Sequence, residues 1–123
     1  MSATEYDFDL NEHIVVLNEW FDASVITKFV FNAHDGSTST SGSKLTSILI
    51  NGKGVSETLE TKTPREIFKV KSGFRYRFRL IDAGVTYCPM QFSIDNHKLT
   101  VISTDGNSVM PTEVEAIVLY PGF

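Results

Sequence analysis

The sequence predicts an all-β chain, arranged as a β-sandwich or barrel with Greek-key connections. Three observations carry that prediction. Val, Ile, Thr and aromatic residues recur in short runs bounded by Gly, Asn, Asp and Pro. Helical i, i+3, i+4 spacing is scarce across any helix-sized window. Turn signals separate eight such runs at roughly ten-residue spacing, the rhythm of sandwiches and barrels.

The elements follow in order. His13–Phe21 and Val25–Asn32 are the first two runs, and both are rich in β-branched and aromatic residues. Asn32–Lys44 (NAHDGSTSTSGSK) is almost wholly small and polar, so it is expected as an exposed, mobile loop. Thr46–Ile50 is a third run, closed by Asn51-Gly52 and Lys53-Gly54, which supply the positive φ angles of tight turns. Val55–Pro64 is polar and Thr-rich and is expected to bridge two sheets. Ile67–Lys71 and Arg75–Ile81 flank the Ser72-Gly73 turn. Strand side chains alternate, so Tyr76, Phe78 and Leu80 share one face and Arg75, Arg77 and Arg79 the other. Met90–Ile94, Leu99–Ser103 and Val114–Tyr120 complete the set, separated by Asp95-Asn96 and Asp105-Gly106-Asn107. Asp22–Ile26 and the stretch near Pro111–Glu113 each have room for a helical turn, too short to alter the class.

Composition bounds the rest. The 123 residues make one domain, 1–123, with no internal repeat and no linker. At 41% hydrophobic and 21% charged, the chain is neither disordered nor fibrous. Lys plus Arg is 11 and Asp plus Glu 15, a net charge of −4, which argues against nucleic acid or an anionic membrane as partner. No apolar stretch approaches the ~20 residues that span a bilayer. The start, MSATEYDFDL, has the features of no signal peptide. Cys88 is the sole cysteine, so no internal disulfide forms.

Residue chemistry gives no catalytic or cofactor-binding residue and no metal ligand set. His13, His34, His97, Cys88 and Met90 are the available soft or imidazole donors. A blue-copper site clusters Cys, His and Met on one loop, whereas Cys88 is followed by Pro89 and Met90 and the next histidine lies nine residues on. There is no His-x-His pair and no paired Cys/His spacing for zinc. A lone cysteine without a G-x-S-x-G elbow fits many inert proteins. The carboxylates Asp82, Asp95, Asp105, Glu113 and Glu115 show no acid/base spacing, and Asn51-Gly52-Lys53-Gly54 lacks the phosphate-loop pattern. Arg75, Arg77 and Arg79 read as a solvated or domain-facing strand face rather than an anion site. The aromatics Phe21, Phe29, Phe31, Phe68, Tyr76, Phe78 and Phe92 read as core.

Four blocks in order are distinctive: EHIVVLNEWF, SILINGKG, FKVKSGFRYRFRLIDAG and FSIDNHKLTVISTDGNSVMPTEVEAIVLYPG. From about Asp7 to Gly122 the chain resembles the second cupredoxin (plastocyanin-like) domain of multicopper oxidases, and invertebrate-type laccases in particular. Ser93–Ser103 reads there as a hairpin closed at Asp95-Asn96-His97.

The resemblance implies a cupredoxin-like Greek-key sandwich inside a secreted three-domain enzyme. Such enzymes oxidise phenols, aromatic amines or metal ions while reducing dioxygen to water. Their copper sits in the flanking domains, so this chain is expected to hold none and to be inactive alone. Its implied role is scaffold and partial wall of the substrate pocket, with the flanking cupredoxin domains as partners. Cys88, Pro89, Met90, Arg75, Arg77 and Arg79 are the implied pocket or interdomain residues, and Cys88 the implied partner of a cysteine in another domain. His97 takes no copper role.

Three departures qualify the resemblance. The family continues past Pro121-Gly122 into a last strand, so a chain ending at Phe123 is expected to lack that strand and to self-associate through the open edge. Fungal laccases place a carboxylate directly after the cysteine, where this chain has Pro89. The fungal loop before the LING block offers apolar contacts, where Asn32–Lys44 is Ser, Thr and Gly. Two rival expectations are a stand-alone interaction or binding module without catalysis, and a metal-binding cupredoxin using His13, His34, Cys88, Met90 and His97.

Overall fold

The computed structural model describes residues 5–21, 45–55, 63–84 and 88–122. After a 3₁₀ turn at Asn11–His13 come seven strands: β1 Ile14–Phe21, β2 Leu45–Ile50, β3 Arg79–Asp82, β4 Met90–Phe92, β5 Leu99–Thr104, β6 Asn107–Val114 and β7 Ile117–Leu119. The all-β prediction holds. The strands form a three-stranded sheet in the order β2-β1-β3 and two two-stranded sheets, β4-β7 and β5-β6.

β1 is the central strand because its residues suit burial on alternate positions. His13, Val15 and Leu17 are buried, with Ile14 and Val16 half-buried between them, a period-two pattern of one inward face. It pairs antiparallel with β2 and parallel with β3, Ile14 facing Arg79 and Leu17 facing Asp82. Val15 and Leu17 meet Met90 of β4 in the core, with Ile50, Phe68, Phe78, Leu80, Phe92 and Leu119 packed against them. The β1 sheet and the β4-β7 pair therefore share one core. β7 reaches β4 across the intervening β5-β6 hairpin, a non-local pairing of the Greek-key kind.

The turns obey their residues. Asn51 and Gly52 both take positive φ, 51° and 76°, and close a bridge between Ile50 and Lys53. Asp105 and Gly106 do the same at 45° and 75°, joining β5 to β6. Asn51 adds a side-chain clamp: its Oδ1 accepts from Val16 N–H at 2.8 Å and its Nδ2 donates to the Ile14 carbonyl at 2.9 Å.

Several expected boundaries are corrected. Ile67–Lys71 joins no ladder, and side chains meet its backbone groups instead: His13 bonds the Lys69 carbonyl and Tyr76 accepts from Lys71 N–H. In Arg75–Ile81 the ladder starts only at Arg79, with a single bridge before it from Tyr76 to Phe8. Pro111–Glu113 is strand, not a helical turn, and belongs to β6. The β5-β6 register shifts between Val101 and Ser103, so Pro111, which has no N–H, falls where the ladder is interrupted. Val114–Tyr120 is two elements, β6 ending at Val114 and β7 at Ile117–Leu119. The turn at Asp95-Asn96-His97 forms, with Asn96 at φ 60° and an Ile94–His97 bridge, but β4 pairs with β7 and not with β5. Val25–Asn32, Asp22–Ile26, Asn32–Lys44 and most of Val55–Pro64 lie outside the described residues.

Candidate functional site

The six residues singled out from sequence fall in two places. Arg79 opens β3 at the level of Ile14, whereas Asp82 closes it at the level of Leu17. Cys88 and Pro89 are exposed, and Met90 turns inward at the start of β4, its Cε beside Gly84 just past Asp82. Three residue steps separate the two levels, about 10 Å along the strand. The arginine row therefore leads into the start of β3, and the Met90 side chain packs just past its end.

At the far end the packing is tight. Asp82 is 2% exposed, and its Oδ1 accepts the Gly84 N–H at 2.9 Å, while its carbonyl accepts from Gly122 N–H at 3.1 Å. A Cβ on Gly84 would come within 3.0 Å of Asp82 Oδ1 and 3.2 Å of Met90 Cε, so glycine lets the chain turn close over Met90. Asp82 Oδ2 is buried with no hydrogen-bond partner. This end anchors the base of the segment that carries Cys88 and Pro89, and sequence reasoning had passed over Asp82 as an ordinary acid.

At the near end the arginines meet acids that sequence reasoning missed. Arg75 N–H donates to Asp7 Oδ2 at 2.7 Å, with its guanidinium 3.6 Å from the same oxygen. Arg79 bonds both carboxylate oxygens of Asp9, Nε to Oδ1 at 3.1 Å, and Arg77 lies 3.5 Å from Asp9 Oδ2. Arg77 also donates to the Tyr6 hydroxyl at 3.3 Å and lies over the Tyr6 ring. Both acids are held below the usual carboxylate range. For Asp7 the main cause is the Arg75 backbone N–H, and for Asp9 the Arg79 side-chain bonds. The available signal was the alternation of Asp7-Phe8-Asp9, which matches Arg75-Tyr76-Arg77 position for position.

Behind the arginines lies an aromatic layer. Phe8 stacks on Tyr76 with centroids 5.2 Å apart, and His13 sits between Tyr76 and Phe78 at 5.0 and 4.9 Å. His13 Nε2–H donates to the Lys69 carbonyl at 3.2 Å, since a carbonyl only accepts. That leaves Nδ1 buried and without a partner.

The potential donors are dispersed among the described residues. Among the described residues no group of three His, Cys, Asp or Glu is placed to hold a metal ion. His13 is buried in the aromatic layer, and Met90 is buried in the core with Val15 and Leu17. His97 is exposed on the β4-β5 turn, its Nδ1 2.8 Å from the Asp95 carbonyl. It lines a shallow cleft with Ile94, Asp95, Asn96, Lys98 and Glu115. His34 lies outside the described residues. No helix among the described residues is long and apolar enough to cross a membrane.

Comparison with known proteins places this arrangement. The family model for multicopper oxidases matches residues 11–123. The chain is 36% identical to Laccase-4 of Thanatephorus cucumeris, over 97% of its own length and 22% of that protein. It is 32% identical to a laccase of Trametes maxima and 34% identical to Laccase-2 of Trametes versicolor, over 96% of its length in each case. The chain thus spans about a fifth of the length of these relatives, 21% and 20% in the latter two. A family match over residues 11–123, joined to an all-β fold and to relatives at this identity along nearly the whole chain, means that the chain belongs to the multicopper oxidase family.

Proposed function

We propose that this chain is the middle cupredoxin domain of a laccase-like multicopper oxidase, acting as scaffold and as part of the substrate-pocket wall. The observation that carries the proposal is the match over residues 11–123 to a family whose members here are about five times longer. Burial of His13 among the Tyr76 and Phe78 rings and of Met90 beside Val15 and Leu17 supports packing roles for both side chains. In the parent, copper in the flanking domains supplies the electron transfer from phenol, aromatic amine or metal ion to dioxygen, and the parent is secreted.

This chain's own residues contribute geometry. Asp82 and Gly84 hold the base of the segment from which Cys88 and Pro89 project, and Met90 pins its other end into the core. We assign Cys88, Pro89 and Met90 to the pocket wall. The exposed flanks of Arg75 and Arg79 are assigned to the boundary with a neighbouring domain, and Arg77 to the same row.

The test is copper stoichiometry on the purified chain after loading, with an absorption scan and a phenol-oxidation assay on the same sample. Near-zero copper and no oxidation are expected. About one tightly held copper per chain, with a thiolate band near ~600 nm, would overturn the proposal and make Cys88 a ligand.

A further inference from the structure

The segment Tyr6–Asp9 lies on Arg75–Arg79 like a docked peptide. Its backbone is seated by three hydrogen bonds: Asp7 N–H and Phe8 N–H donate to the Arg75 carbonyl, and Arg77 N–H donates to the Phe8 carbonyl. The pairing is a single parallel bridge between Phe8 and Tyr76, not a strand of the sheet. Its side chains alternate. Asp7 and Asp9 turn to the arginines, while Phe8 stacks on Tyr76 and meets Phe74 edge-on at 5.4 Å.

Specificity and weakness coexist here. Acid, ring, acid meets arginine, ring, arginine, so charge and shape are matched residue by residue. Yet the Arg75 and Arg79 side chains are 65% and 47% exposed, and such solvent-screened pairs hold weakly. A segment held outside the sheet by a single bridge, three backbone hydrogen bonds and ion pairs of which two have exposed arginines belongs to the part of a protein that opens early.

We propose that Arg75, Arg77 and Arg79, with the Phe74 and Tyr76 rings beside them, form a docking surface for an extended acid–aromatic–acid peptide segment. Tyr6–Asp9 is its resident, exchangeable occupant. Recognition is by added backbone pairing plus alternating pockets, as in strand addition to a sheet edge. A partner segment carrying acids two residues apart around an aromatic displaces the resident one. The inference goes beyond the scaffold proposal and does not depend on it, because it concerns the chain alone.

The test uses the full chain with Asp7→Asn and Asp9→Asn, which takes both carboxylates off the arginine row and loosens the resident segment while leaving the core untouched. It is titrated with labelled peptide EYDFDL and with the control EYNFNL, and binding is read by fluorescence anisotropy. EYDFDL is expected to saturate, the control to bind about tenfold more weakly, and the unsubstituted chain to bind less because its own segment occupies the surface. Adding R77Q and R79Q is expected to abolish binding. Amide exchange at Arg77 and Phe8 serves as the second readout and is expected to quicken in the Asp-to-Asn chain. Equal binding of both peptides would overturn charge-matched recognition. No binding despite faster exchange would overturn the docking surface, and unchanged exchange without binding would overturn exchangeability.

Discussion

At the residue scale, two side chains do work that their types alone do not announce. Asn51 satisfies the turn, where φ is 51°, and also pairs with Val16 N–H and the Ile14 carbonyl on β1. Asn51→Gly keeps the turn and loses both bonds, so it is expected to cost about 2 kcal/mol. Asn51→Ala adds the left-handed strain of a Cβ and is expected to cost about 3 kcal/mol. Urea unfolding of the two variants separates the clamp from the turn, and equal losses would count against a strain contribution. His13 presents the opposite case. Its ring fills the space between Tyr76 and Phe78, but one nitrogen is buried without a partner. His13→Phe trades one hydrogen bond for the relief of that orphan and is expected to stay within about 1 kcal/mol of the parent chain. His13→Ala opens a cavity and is expected to cost about 3 kcal/mol. Thermal and urea unfolding check the pair, and a collapse of the phenylalanine variant would mean that the imidazole itself is required.

At the scale of elements, the acids on the arginine row and at Lys53 fix a pH dependence. Asp7, Asp9 and Glu66 are all held below their ordinary values of 3.8, 3.8 and 4.5, through Arg75, Arg79 and Lys53 respectively. A folded-state value below the unfolded one gives stability that is present above the unfolded pKa and lost as pH falls through the folded one. The urea midpoint is therefore expected to decline below pH 4.5 and to continue falling beneath 3.8. The Asp7→Asn, Asp9→Asn chain is expected to show a shallower decline, which a pH series of unfolding curves measures. Lys98 works in the other direction. Its bond to Glu113 raises it above 10.5, so that contribution is full below 10.5 and fades only at higher pH. The elements themselves were legible where local chemistry decides. The β1 alternation, the turns at Asn51-Gly52 and Asp105-Gly106, and the two faces of Tyr76–Leu80 all follow from periodicity and left-handed backbone preferences. What was not legible depended on distant partners. Ile67–Lys71 has strand composition, but His13 and Tyr76 take its backbone groups, and the His13 contact reaches across 56 residues of sequence. Pro111 reads as a breaker until the register slip opposite Ile102 shows where a residue without an N–H is accommodated. The candidate site divides likewise. Cys88 and Pro89 were singled out by the family resemblance alone, whereas the acids facing the arginines lie some seventy residues away.

At the scale of the whole molecule, the distribution of apolar surface decides behaviour. Among the described residues only Val15, Leu17 and Met90 are buried hydrophobics, while Ile67 is 76% and Met110 85% exposed. Val70, Phe74, Val118, Tyr120 and Trp20 are each more than half exposed as well. Among the described residues, this much open apolar side-chain surface marks area that association can cover. β6 sharpens the point: seven of its eight residues are exposed, and among the described residues it pairs only with β5. A ribbon of this kind offers backbone donors and acceptors to another chain. The isolated chain is therefore expected to self-associate as its concentration rises, and sedimentation velocity measures the effect. Met110→Lys and Val118→Lys place charge on side chains that contribute little to the folded core, so both are expected to reduce association while leaving the urea midpoint nearly unchanged. A fall in midpoint that tracks the loss of association would instead show that contacts between chains complete the fold. If association proceeds undiminished in both variants, the adhesive surface lies elsewhere, and the exposed row Ile67, Val70 and Phe74 becomes the surface to charge next.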